Sequence, residues 1–203
     1  MMTDTLKRPS RTNPHRQEII AARRKSAKPL LYAGIVSIIM LFAGLTSAYI
    51  VRADSGNCLL FRLPDISIVS TVIILLSSFT MLIAQRSIIR NNKKVTSTAL
   101  LVTLVLGISF FFTQIEGWRQ LTSQGIYFVG KYSNAAGSFL YLIALVHLAH
   151  MSGGIIALIV TTIKTIRGKY SANDHLGIDL TAIYWHFLDL LWIYLFFFLY
   201  FYR

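Results

Sequence analysis

Cysteine, acid and proline are all scarce in this chain: one cysteine (Cys58), eight acidic residues and four prolines among 203. A lone cysteine excludes an intrachain disulfide and any Cys-x-x-Cys redox or zinc pair. Neither a glycine-rich phosphate loop nor a serine nucleophile elbow occurs, so no familiar apparatus for phosphoryl or acyl transfer is legible. Histidine is absent from the whole stretch between His15 and His147. No aromatic residue falls in the first 28 positions, which leaves that basic stretch without the stacking surface that nucleic-acid binding needs. We expect no nucleic-acid partner.

What the chain has in abundance is apolar length. It is 55% hydrophobic with a mean hydropathy of +0.59. Five runs reach or approach the ~20 residues that a bilayer-crossing helix requires. They cover 30–51, 66–85, 98–118, 138–163 and 181–202. The sequence therefore predicts an all-α integral membrane protein of five transmembrane helices. A basic cytoplasmic tail (1–28) precedes a five-helix membrane domain (29–203), with Pro29 in the first turn of the first helix. The basic arm is long, and the first apolar run is too long for a signal-peptide core, so we expect no cleavable signal peptide. Helix one carries two small-xxx-small pairs, Ala43/Ser47 and Gly44/Ala48, which permit close helix contact in lipid. Helix two, rich in Ser and Thr but uncharged, reads as a neutral scaffold.

The net charge of +12 is unevenly placed. Fifteen of the 20 Lys and Arg lie before Leu30, between helices two and three, or between helices four and five. That bias sets the N-terminus inside and the C-terminus outside. Basic residues at inner helix ends, among them Arg86, Arg90, Lys164 and Arg167, suit lipid phosphates.

Polar residues within the spans carry the functional question. An ionisable side chain at membrane depth costs at least a few kcal/mol unless it is paired or neutralised. Asp189 and His186 sit on one face of helix five by their three-residue spacing; His147 and His150 do the same on helix four. At ~1.5 Å per residue, His150 lies ~18 Å below the outer edge and Asp189 ~12 Å above the inner edge. In a hydrocarbon core of ~30 Å these depths coincide, so a His150–Asp189 pair is expected. Glu116 falls at the outer boundary, within reach of Arg119 three residues on. Glu116, His147, His150, His186 and Asp189 are the candidate polar network. Three readings are open for them. One is a packing network; the others are haem ligation by a membrane cytochrome and a small proton or cation transporter using Asp189. His-x-x-His alone is too little for a metal site, so we expect no catalytic, cofactor-binding or metal-ligating residue here.

The segment Tyr184-Trp185-His186-Phe187-Leu188-Asp189-Leu190-Leu191-Trp192 resembles the Tyr-Trp-His-Phe-Val-Asp-Val-Val-Trp pattern of subunit III of the haem-copper (cytochrome c) oxidases. His175-Leu176-Gly177-Ile178-Asp179 resembles the family's His-Phe-Gly-Phe-Glu, and His147-Leu148-Ala149-His150 its His-Gly-Leu-His. Gly107, the Gln114…Glu116-Gly117-Trp118 run and Gly125-Ile126-Tyr127 follow in the family's order. One departure matters: Ile38 stands where the family has a membrane glutamate, so nothing that rests on that carboxylate carries over. The resemblance implies a short, five-helix bacterial form that lacks the first two of seven helices. It implies a non-catalytic subunit of a proton-pumping terminal oxidase in the bacterial inner membrane, packed against subunit I with subunit II in the same complex. Haem and copper would belong to those partners. This chain would hold phospholipids, support proton uptake, and join a respiratory supercomplex where one forms.

Overall fold

A computed structural model describes residues 14–54, 66–123, 135–172 and 174–201. Among them are five helices: α1 (Pro14–Asp54), α2 (Ile66–Ile89), α3 (Lys93–Ser123), α4 (Ala135–Ile166) and α5 (Leu176–Phe201). Each is long and apolar enough to cross a membrane. Cys58 and the Gly125-Ile126-Tyr127 motif lie outside the described residues.

The helices overrun the apolar windows because charged residues at a membrane surface satisfy a helix as well as apolar ones do. α1 shows this most. It begins at Pro14 and runs 41 residues, about 60 Å at the usual rise. The second half of the basic arm is thus helical. Pro29 lies inside α1, not in its first turn, so the Lys25 carbonyl has no amide to accept from.

Short turns join the remaining helices at the basic end. Asn91 takes the left-handed conformation (φ 56°) between α2 and α3, and Gly168 does so (φ 68°) just past α4. The Asn92 side chain then caps α3 by accepting from Val95 N at 3.4 Å.

α4 and α5 are the hubs: α5 touches α1, α2 and α4, α4 touches α1, α3 and α5, and α2 pairs with α3. Two cross-helix registers place α5. Against α4, the Thr161 and Thr181 hydroxyls share a bond of 2.8 Å, and Tyr184 OH donates to the His150 carbonyl at 3.1 Å. Against α2, Trp192 Nε1 donates to Thr71 at 3.2 Å, Trp185 Nε1 to Ser77 at 3.1 Å, and His186 Nδ1 bonds Ser78 at 2.7 Å. In both cases the numbers fall along one helix as they rise along the other, so α5 runs antiparallel to both neighbours. Two packed clusters result. One is centred on Phe42, Tyr49, Ile143 and Leu195, the other on Ile74, Leu100, Met151 and Trp185.

Candidate functional site

The site grows from the α5 segment Tyr184–Trp192. Its heptad-like spacing sends Trp185, Leu188, Asp189 and Trp192 inward, and all four are buried. Close approach on both flanks is made by glycine. A Cβ at Gly107 would meet Trp185 Cη2 at 2.6 Å, and one at Gly154 would meet Leu188 Cδ1 at 2.8 Å. Only Gly fits between helix backbones and indole rings this near.

The Ser/Thr-rich α2 is more than a neutral scaffold. Thr71, Ser77 and Ser78 supply the hydroxyls that receive two indole N–H groups and the His186 ring. In hydrocarbon these donors have no water to fall back on, so a hydroxyl opposite each is the solution open to the chain. The three-to-four-residue spacing of Thr71, Ile74, Ser77 and Ser78 was the sequence signal for this face.

The five candidate residues do not converge on one point. His147 is 1% exposed, stacked on Trp192 at 5.5 Å and edged by Phe42 and Phe110, with no hydrogen-bond partner for either ring nitrogen among the described residues. His150 turns towards α1: its ring lies 5.9 Å from that of Phe42, and its Nδ1 donates to the Val146 carbonyl at 2.8 Å. His186 faces α2 through Ser78. Asp189 is 3% exposed and neither carboxyl oxygen has a partner among the described residues. The Ser78 hydroxyl lies near it, but its short bond goes to His186. Glu116 sits on the half-exposed end of α3, 3.4 Å from Arg119.

The expected His150–Asp189 pair is therefore absent, and the reason is direction, not depth. The α4–α5 register puts 147 beside 192 and 154 beside 188, so 150 and 189 are level to within a turn. His150 nevertheless points to the α1 side and Asp189 to the α2 side. The same divergence bears on haem ligation, which needs two imidazoles facing each other. His147, His150 and His186 address three different seams. No group of three or more His, Cys, Asp or Glu able to hold a metal occurs among the described residues.

At the basic end, a second set of contacts was not foreseen. Arg24 meets Asp174 at 2.7 Å, Lys28 meets Asp179 at 3.6 Å, and His175 lies 3.8 Å from the same carboxylate. The α1 extension is thereby fastened to the α4–α5 connection. Tyr170 in that connection packs over Gly177, where no side chain would fit. Burial raises its phenol above the ordinary value, with Asp174 adding to the shift and Thr161 opposing it. Arg86, Arg90, Lys164 and Arg167 are all exposed at this end.

Comparison with known proteins meets this geometry on the same residues. The family model for cytochrome c oxidase subunit III matches residues 59–203. A probable cytochrome c oxidase subunit 3 of Rickettsia felis is 37% identical over 138 residues, 67% of this chain and 48% of that protein. Its counterpart in Rickettsia prowazekii is 38% identical over 138 residues, with the same shares. Cytochrome c oxidase subunit 3 of Spodoptera frugiperda is 27% identical over 139 residues, 67% of this chain and 86% of the relative. The chain spans about half the length of the bacterial relatives it matches.

Proposed function

Because the chain belongs to the cytochrome c oxidase subunit III family, we propose that it is the non-catalytic third subunit of a proton-pumping haem-copper terminal oxidase in a bacterial inner membrane. Its partners are then subunit I, which it stabilises, and subunit II in the same complex; haem and copper belong to them. The observation that supports this best is the α5 segment itself. Much of it is spent on internal packing: two indoles and an imidazole are bonded to α2 hydroxyls, and Gly107 and Gly154 receive the Trp185 ring and the Leu188 side chain. A segment so occupied holds a bundle together.

The charge bias supports an N-in, C-out orientation, with Arg24, Lys28, Arg86, Arg90, Lys164 and Arg167 on the inner side. Exposed cations there meet phospholipid phosphates, each at about 1 kcal/mol. Support of proton uptake in this chain does not run through the family glutamate. Ile38 holds that position and packs into the apolar seam beside Leu180 and Tyr184.

The haem-cytochrome alternative loses ground because its three candidate histidines face apart. The transporter alternative gains nothing from Asp189, whose carboxyl is buried without a hydrogen-bond partner among the described residues. The experiment is removal of the chain from the purified oxidase. The haem spectrum of the remainder should be unchanged while activity is lost faster during turnover, and re-addition should restore the lifetime. Loss of haem with this chain would refute the proposal.

A further inference from the structure

α1 is anchored to the bundle unevenly along its length. In its second half Phe42, Thr46 and Tyr49 are buried. Phe42 packs against the His147 and His150 rings, Thr46 shares a bond of 3.1 Å with Tyr194, and Tyr49 edges Phe198 at 5.6 Å. Towards the basic end this changes. From Ala22 to Leu30 every described side chain is exposed except Ala27, which is half-buried. There α1 stands off α5 across an open apolar groove lined by Ala27, Leu30, Gly34, Ile38, Leu180 and Tyr184. A Cβ at Gly34 would meet nothing within 4 Å.

Burial of apolar surface therefore does not hold the residues before Pro29 in place. Charge does, through Arg24 on Asp174 at 2.7 Å and Lys28 on Asp179 at 3.6 Å. The two cations are one turn apart on a single face of α1, and their carboxylates flank the start of α5. The second pair bars the end of the groove, because Ala27 and Leu180, the next residue on each side, line its mouth. Arg24, Asp174 and Lys28 are about half-exposed. Ion pairs of that kind shift an equilibrium by up to about fivefold each, and salt screens them. Pro29 lies directly between the paired residues and the span. Having no N–H, it takes one rung out of the helix there and supplies a hinge.

We propose that residues 14–28 form a strap, hinged at Pro29, which two ion pairs hold shut over the basic-end mouth of the α1–α5 groove and which ionic strength releases. On release the strap swings away from the α4–α5 connection as an intact helix and leaves the groove open at that end. His175, 3.8 Å from Asp179 and one turn before it, stays beside that carboxylate when Lys28 leaves. Arg24 and Lys28 lie outside the residues 59–203 that the family model matches. The device stands whether or not the oxidase reading holds, since the full chain alone is assayed.

The test is double electron–electron resonance on the full-length chain in phosphatidylcholine nanodiscs, which present no net charge to the strap. Spin labels go on Ala22→Cys and Lys169→Cys, both exposed positions, in a Cys58→Ser background. At about 0.1 M salt one short distance should dominate, and at about 1 M, where the screening length falls to ~3 Å, a second, longer one should appear. The open-to-closed ratio should rise about tenfold between the two, as loss of both pairs allows. Asp174→Arg should produce the longer distance at low salt, and adding Arg24→Asp should bring back the short one. A reference pair, Arg90→Cys with Lys169→Cys, should read the same at both concentrations. A single unchanged distance between 22 and 169 at high salt would overturn the proposal without recourse to any charge variant. So would a longer distance that appears equally in the reference pair, because the whole basic end would then be loosening.

Discussion

The edge of the Trp185 indole lies against the backbone of Gly107, so that a Cβ there would stand 2.6 Å from Cη2. The ring has no room to retreat, because its Nε1 is bonded to Ser77 on α2 and its face is packed in the core of α2–α5. Gly107→Ala should therefore cost about 1–3 kcal/mol, the usual penalty of overpacking. Gly44→Ala, where nothing lies within 4 Å of the added carbon, should be neutral. Reversible unfolding in mixed micelles separates the two; equal effects would mean that the α3–α5 contact is looser than described.

The hydroxyls of α2 allow a second prediction. Ser77→Ala leaves the Trp185 N–H without its acceptor, and Ser78→Ala leaves His186 Nδ1 without its hydroxyl partner. Interhelical hydrogen bonds in membranes average about 0.6 kcal/mol, and each substitution should cost about that to twice that. A Ser77→Ala, Trp185→Phe cycle should show coupling, whereas Ser77→Ala with Thr46→Ala, which lies in the α1–α5 seam, should be additive.

His150 and Asp189 share a depth but not a direction, which makes their independence measurable. His150→Ala and Asp189→Leu should add to within about 0.5 kcal/mol in a double-mutant cycle. Asp189→Leu should be tolerated by the isolated chain, since it removes a carboxyl that has no partner among the described residues. A coupling well above that margin would restore a direct pair.

In the α4–α5 connection, burial raises the Tyr170 phenol above its ordinary value of 10.0. The folded state therefore holds the proton longer than the unfolded one. The associated stability is fully present below pH 10 and is lost as pH rises through the higher folded value. Tyr170→Phe should remove this alkaline loss while leaving behaviour at neutral pH little changed. Unfolding followed between pH 8 and 12 checks it.

Much of the molecule was legible in its residues, and the part that was not has a common cause. Helix number and order follow from apolar run length, which the bilayer sets. The Tyr184–Trp192 segment marked a hub of the bundle because aromatic and polar residues so dense in a span must be satisfied internally. Depth also came through, since rise per residue is fixed: 150 and 189 are indeed level. Direction did not. A span that is apolar nearly all round gives no moment to say which face meets which neighbour, so depth alone pairs His150 with Asp189, whereas the His150 ring faces Phe42 on α1. The small pairs of α1 permit close contact, but the direction in which they face is equally hidden. Ala43, Gly44 and Ser47 face away from the other four helices, so these small residues are not what packs α1 onto α4 and α5. The helical run from Pro14 to Lys28 was hidden by its charge, because hydropathy reports burial in lipid and not helix formation.

The most direct measurement is affinity purification of the tagged chain from native membranes in mild detergent, with a reduced-minus-oxidised spectrum and identification of the co-purifying chains. Membership of an oxidase predicts a haem signal that arrives with a large multi-helix haem-copper subunit and disappears when this chain is stripped free. A haem signal that stays with the isolated 22.9 kDa chain would contradict it.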